Sequence, residues 1–314
     1  MKVNRGDVAP LRIRSILIPL DGSPFAEHAI PWATALARAA RAKLRLTLVH
    51  QPPDHPPTDP ASRRLYTRIQ LALRKAQRDY LRAAATRIKA EGPVRVTSAT
   101  LHGTPGPTLA QYVDELGVDL VVMTTHGRGG VERAWLGSVA DHLVRALEVP
   151  VLLVRPVEGV AASPRVEEIL VGLDGSRRAE ASLPPAMAVA TLLGARLTLL
   201  QATAPVPLMW DAPTPFAVSF DDELSALRRE EAQDYLESVA AQVRAGGIEA
   251  RPIAVLGPSP VEAIKAAALA PSVGLIALAT HGRTGLRRMV LGSVTDKLVR
   301  SSDVPVLVTR PRGR

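Results

Sequence analysis

The sequence predicts an α/β protein made of two tandem copies of an open, doubly wound domain with a parallel sheet. Three observations predict it. Short runs rich in Val, Ile and Leu, apolar nearly throughout, alternate with helical periodicity, as parallel strands covered on both faces require. The pattern occurs twice: SILIPLDGS at 15–23 matches EILVGLDGS at 168–176 at an offset of 153, and THGR at 125–128 matches THGR at 280–283 at 155. Finally, a length of 314 residues accommodates about two domains. The expected division is 1–157 and 163–314, because EGVAASP at 158–164 carries no periodic pattern.

In the first copy a strand at 13–20 runs into Asp21-Gly22-Ser23, where the serine is placed to cap a helix at 24–41. Strand 43–50 leads through the proline-rich QPPDHPPTDP of 51–60 into a helix at 61–91. Strand 94–101, helix 105–117 and strand 118–125 follow. A glycine-bearing loop then opens a helix at 137–147, and strand 150–155 closes the copy. The second copy places its strands at 167–173, 196–201, 248–256, 273–280 and 304–310. It carries a longer segment, 203–222, with Trp210, Phe216 and Phe220, read as a loop packed on its own domain; a lid over a ligand is the alternative.

Composition excludes several classes. With no cysteine there are no disulfides and no thiolate chemistry, and no apolar run approaches the ~18 residues of a membrane span. The first residues lack the apolar core of a secretion signal, so a cytoplasmic protein is expected, without membrane association. The net charge of +9 lies entirely in residues 1–157, with 22 Lys+Arg against 13 Asp+Glu, while 158–314 carry 17 of each. The bases of 63–89 are spread through one helical pattern and read as a solvated face. With ten Phe, Trp and Tyr residues and no known motif, nothing favours a nucleic acid partner.

In an open parallel sheet the ligand sits beyond the carboxyl ends of the strands. There the chain places glycines and helix starts whose amides suit an anion such as phosphate: Gly127, Gly137 and Ser138, and again Gly282, Gly292 and Ser293. No Gly-Lys-Ser/Thr occurs, which removes the P-loop, and the glycine loop follows strand four where the dinucleotide fingerprint would follow strand one. Asp21 and Asp174 end strand one and suit a ribose hydroxyl or base amino group, although an Asx turn explains one such aspartate equally well. Arg128 and Arg283 reach a phosphate or lie in solvent; both readings stay open. His126 and His281 are the general bases nearest these loops, yet no carboxylate pair, Ser-His-Asp order or metal spacing accompanies them, so support for catalysis is thin.

These residues resemble the universal stress protein family in a tandem two-domain form, from about Arg14 to Pro311. The resemblance rests on the strand-one Asp-Gly-Ser, the Thr-His-Gly-Arg segment, the Leu-Gly-Ser beyond it and the closing PVLLVRP and PVLVTRP strands. It implies five-stranded Rossmann-like sheets of order 3-2-1-4-5 and ATP bound through G-x2-G-x9-G-(S/T), with Mg2+ on the phosphates. In this motif Gly127 and Gly282 are the second glycine, Gly137 and Gly292 the third, and Ser138 and Ser293 the hydroxyl; Thr124 and Ala279 replace the first. Around it the family's pocket implies Pro19, Leu20 and Asp21, Val49, Gly103, Thr125, His126, Arg128 and Val139. In the second copy it implies Gly172, Leu173 and Asp174, Leu200, Gly257, Thr280, His281, Arg283, Val294 and Thr295, and the strand-two ends, Val49-His50 and Leu200-Gln201, match the wall along which adenine lies. Thr295 stands where the first copy has Ala140, so the second site is expected to be tighter. The resemblance also implies that the two domains pair internally through their last strands, leaving other surfaces for homodimerisation. Three functions follow as expectations: an ATP-binding stress-response protein whose nucleotide regulates or stabilises it; a slow ATPase or self-phosphorylating enzyme using His126 or His281; and a nucleotide-free module whose basic first half binds acidic partners.

Overall fold

A computed structural model describes residues 10–53, 55–125, 136–155, 164–207, 220–257, 259–280 and 291–311. They fall into two units, one from Arg12 to Arg165 and one from Val166 to Arg314, the latter joined by Leu11, whose amide donates to the Pro184 carbonyl at 3.0 Å.

The first unit runs β1 (Ser15–Pro19), α1 (Pro24–Glu27), α2 (Ala29–Ala40), β2 (Lys43–His50), α3 (Pro60–Ala90), β3 (Arg95–His102), α4 (Pro105–Glu115), β4 (Leu120–Thr124), α5 (Ser138–Ala146) and β5 (Val151–Val154). Its strands are all parallel, in the order β3-β2-β1-β4-β5. The central strands are apolar because both faces are covered: Ile16, Leu17 and Ile18 of β1 and Leu120, Val121 and Val122 of β4 are wholly buried.

The second unit repeats this with β6 (Glu168–Gly172), a 3-10 turn (Ala179–Ser182), α6 (Leu183–Leu193), β7 (Arg196–Thr203), α7 (Asp222–Ala245), β10 (Ala250–Leu256), α8 (Pro260–Ala268), β11 (Val273–Ala279), α9 (Ser293–Ser301) and β12 (Val306–Thr309). Its parallel order is β10-β7-β6-β11-β12, so each unit reads 3-2-1-4-5 in its own chain order. Between β7 and α7 lies an antiparallel pair absent from the sequence expectation, β8 (Val206–Pro207) with β9 (Phe220–Asp221). Trp210 and Phe216 lie outside the described residues.

Both units turn from their first long helix into strand two through one left-handed residue. In the second unit it is Gly194, at φ 69°; in the first it is Arg41, at φ 52°. An L side chain there costs roughly 1–2 kcal/mol, so the repeat keeps the turn at a local cost in the first copy.

The two long helices differ. Both start on an aspartate cap: Asp59 accepts the Ser62 amide at 2.9 Å, and Asp221 accepts that of Leu224 at 2.9 Å. Bonds from Ser62 hold the Asp59 carboxyl below its usual range. In α7, burial begins at Ser225; in the 31-residue α3 the buried residues are Leu81, Ala84 and Ile88, near its end. Among the described residues no helix is long and apolar enough to cross a membrane.

Candidate functional site

The carboxyl ends of strands one, two and four meet in each unit, because β1 lies between β2 and β4 and β6 between β7 and β11. Strand one ends in the same turn twice. Asp21 Oδ1 accepts the Ser23 amide at 2.8 Å, Ser23 Oγ accepts that of Ala26 at 3.2 Å, and Gly22 between them has φ 83°. Asp174, Ser176, Ala179 and Gly175 repeat this at 2.9 Å, 3.2 Å and φ 81°. The positive φ explains the glycine, and the Asx turn fixes each carboxylate, half-buried, at the strand end. Leu20 and Leu173 are buried, with their amides given to the Thr47 and Leu200 carbonyls at 2.7 and 2.9 Å. Gly172 is a packing residue, since a Cβ there would meet Leu278 Cδ2 at 2.6 Å and Ile264 Cδ1 at 3.0 Å.

At strand four the two units again agree. Gly137 and Gly292 are the N-caps of α5 and α9, and their amides return to the carbonyls of Thr125 and Thr280. Neither cap supplies a side-chain acceptor, and each helix is nine residues long. The amides of the first turn therefore have no acceptor from the cap, and the helix dipole adds a partial positive charge there. Ser138 and Ser293 are exposed at this end, with Val139 and Val294 partly exposed beside them. Thr295 is buried and donates its hydroxyl to the Ala279 carbonyl at 2.7 Å, which ties the first turn of α9 to the end of β11. Its counterpart Ala140 makes no such tie. Thr125 and Thr280 are buried directly beneath these caps. His126, Gly127, Arg128, His281, Gly282 and Arg283 lie outside the described residues.

Strand two separates the units. In the first, the buried His50 at the end of β2 has its ring nitrogens 3.0 Å from Gln77 Oε1 and 2.7 Å from Gln70 Oε1. Its ring meets that of His102 edge to face at 5.6 Å, and burial, then Arg74 and His50, lower the His102 pKa. Gly103 follows at φ 132° with its amide on the His50 carbonyl at 3.2 Å, and a Cβ there would meet Thr108 Oγ1 at 2.7 Å. In the second unit a cavity of about 610 Å³ is bounded by Asp174, Gly175, the chain from Gln201 to Ala204, and Arg228, Glu231, Ala232 and Tyr235 of α7. Gly257 follows β10, with its amide on the carbonyl of Thr203, a residue of the cavity wall, at 2.9 Å.

The register corrects one equivalence read from the sequence. β1 pairs Pro19 with Thr47, and β6 pairs Gly172 with Leu200. Leu200 therefore corresponds to Thr47, Gln201 to Leu48, Ala202 to Val49 and Thr203 to His50. The strand-two ends Val49-His50 and Leu200-Gln201 are thus two residues out of step with each other in the register, and Leu200 is buried in the core. A pairing of α3 with α7 comes from Tyr235, which donates to Glu180 at 3.1 Å. Tyr80 stands at the same helical position, with burial, then Glu27 and Asp21, raising its pKa.

A family model, the universal stress protein family, matches residues 12–155 and again 166–310. The chain belongs to the universal stress protein family. Universal stress protein Rv2005c of Mycobacterium tuberculosis is 28% identical over 313 residues, covering 96% of this chain and 98% of that protein. Universal stress protein Rv1996 of the same organism is 29% identical over 316 residues, covering 94% of each. Among solved structures, a universal stress protein from Archaeoglobus fulgidus superposes with a TM-score of 0.68 at 19% identity, covering 95% of this chain and 98% of that one, a likeness of fold. Membership accounts for the tandem order and the recurrence of the strand-one and strand-four ends. The cavity against α7, and Arg228, Glu231 and Tyr235 on its wall, follow no motif, whereas Gln201 on the same wall belongs to the strand-two end that the resemblance points to.

Proposed function

We propose that this universal stress protein is a cytoplasmic ATP-binding protein in which the nucleotide acts as a regulatory or stabilising ligand of a stress response. One observation carries the reading: in the second unit an uncapped helix start at Gly292–Ser293, a fixed carboxylate at Asp174 and an open cavity lie at the ends of the adjacent strands β11, β6 and β7. Phosphates suit the amides of the α9 first turn, the ribose suits Asp174, and the base suits the cavity. Pro19, Leu20 and Val49 of the first unit and Leu173 and Leu200 of the second contribute through backbone and packing. Mg2+ arrives on the phosphates of the nucleotide.

Calorimetric titration of the full chain with Mg-ATP tests the reading. Saturable binding with a stoichiometry of one or two per chain is expected. Absence of heat and of any thermal stabilisation up to millimolar nucleotide overturns it.

A further inference from the structure

We propose that the basic face of α3 in one copy of the chain docks on the acidic face of α7 in a second copy, so that the protein associates with itself through the two helices that follow strand two. The residues involved do not border the cavity of the second unit.

The same helix of the repeat carries opposite charge in the two units. α3 has nine Lys and Arg against Asp79 alone, a net +8, whereas α7 has six Asp and Glu against three Arg, a net −3. In each, much of the charge is gathered into one stripe. Arg64, Arg68, Leu71, Lys75, Arg78 and Arg82 follow one another by steps of four and three, and so do Glu223, Leu227, Glu230, Asp234 and Glu237. Residues three and four apart share a helix face. The stripes therefore run about 27 and about 21 Å along their helices. Every residue in them is exposed. Neither stripe is the core face, since α3 is held through Leu81, Ala84 and Ile88 and α7 through Ala232, Leu236 and Val239.

Both stripes are short of partners. Among the described residues Arg64, Arg68 and Arg78 make no ion pair, while Lys75 and Arg82 share Asp79 at 3.7 and 3.8 Å. Among the same residues Glu223, Glu230 and Asp234 make none either, and Glu237 lies 3.6 Å from Arg244. Each stripe includes one exposed leucine, Leu71 at 59% and Leu227 at 50%, and α3 adds the neighbouring ridge of Leu65, Ile69 and Leu73. Isolated surface ion pairs hold little, so the leucines supply the buried area and the charges choose partner and direction. A ridge one residue wide, recurring every fourth residue, fits the groove of another helix, whereas a helix lying on a membrane presents a broader apolar face. An anionic bilayer answers the bases of α3 and leaves the acidic stripe with its leucine unexplained. α7 of a second copy answers both.

The test is analytical ultracentrifugation of the full chain, without nucleotide, over a range of concentrations and at about 0.05 and about 0.5 M salt. The wild type is expected to gain mass with concentration at low salt, with association weakened about tenfold or more at high salt, where exposed charges are screened. Two charge-reversed chains identify the surfaces. One carries Arg64→Glu, Arg68→Glu and Arg78→Glu on α3, and the other Glu230→Arg, Asp234→Arg and Glu237→Arg on α7. Each alone sets like charge against like and is expected to sediment at a lower mass than the wild type. An equimolar mixture restores opposite charges at both contacts and is expected to recover the wild-type mass, which also shows that both variants fold. A wild type of monomer mass at every concentration, association indifferent to salt, a mass that survives either reversal, or a mixture that stays at the lower mass overturns the inference. Binding of a monomeric wild type to phosphatidylserine vesicles would assign α3 to a lipid surface instead. The salt dependence needs no variant.

Discussion

At the scale of single residues, the two units hold the amino ends of their strands by different means. In the second, Glu168 accepts from Arg196 Nη2 at 2.6 Å, Thr198 at 2.7 Å and Ser272 at 3.1 Å. Burial alone raises the Glu168 pKa, but the bonds from Thr198, Arg196 and Ser272 outweigh it, and the net shift is downward from 4.5. A carboxyl depressed by folding stabilises the protein above its unfolded pKa, and that contribution is lost as pH falls through the folded value. Glu168→Gln is therefore expected to lower the urea midpoint at neutral pH and to flatten its decline below about pH 4.5, measured by urea titration across that range. An unchanged acid limb counts against the assignment. Asp119 in the first unit serves the same edge by taking the amides of Arg14 and Ser15 at 2.8 and 2.9 Å. Residues of this kind were legible only in part. Asp-Gly-Ser announces its turn because a positive φ and a capping hydroxyl demand those residue types. Arg228 and Tyr235 of α7 announce nothing: they border the cavity at the end of β7 from far along the chain, and an apolar strand carries no internal mark of its register.

At the scale of elements, the parallel strands and the helices of the first unit were legible, since periodicity and repetition point the same way, although the helix expected at 24–41 divides at His28 into α1 and α2. The β8–β9 pair was not, because two-residue strands leave no pattern. Nor did the basic periodicity of α3 reveal how it packs. Leu65, Ile69 and Leu73 recur at helical spacing and are 59%, 47% and 46% exposed, beside a largely basic face. The core holds α3 through Leu81, Ala84 and Ile88. Opening the first turns of a helix anchored at its far end exposes little apolar surface. Hydrogen exchange across α3 is expected to show a gradient, with fast exchange before Gln70, where the first bond to the buried His50 is made, and slow exchange from Leu81 onward. In α7, where burial begins at Ser225 and continues through Val243, protection is expected to start one turn in. Uniform protection along α3 contradicts this account of its packing.

At the scale of the whole molecule, repetition makes each half a control for the other. Both units share the 3-2-1-4-5 sheet, the Asx turn and the glycine N-cap of the helix after strand four, so the differences between them stand out against a common frame. The excess charge is also confined to one half: residues 1–157 carry the full +9. In the second unit, the buried Oε1 of Gln201, unpaired among the described residues, is a burden on the folded protein, on the order of 1–3 kcal/mol for a buried unpaired acceptor. Gln201→Met is accordingly expected to raise the denaturant midpoint of the chain in a urea titration, and an unchanged or lowered midpoint counts against that cost.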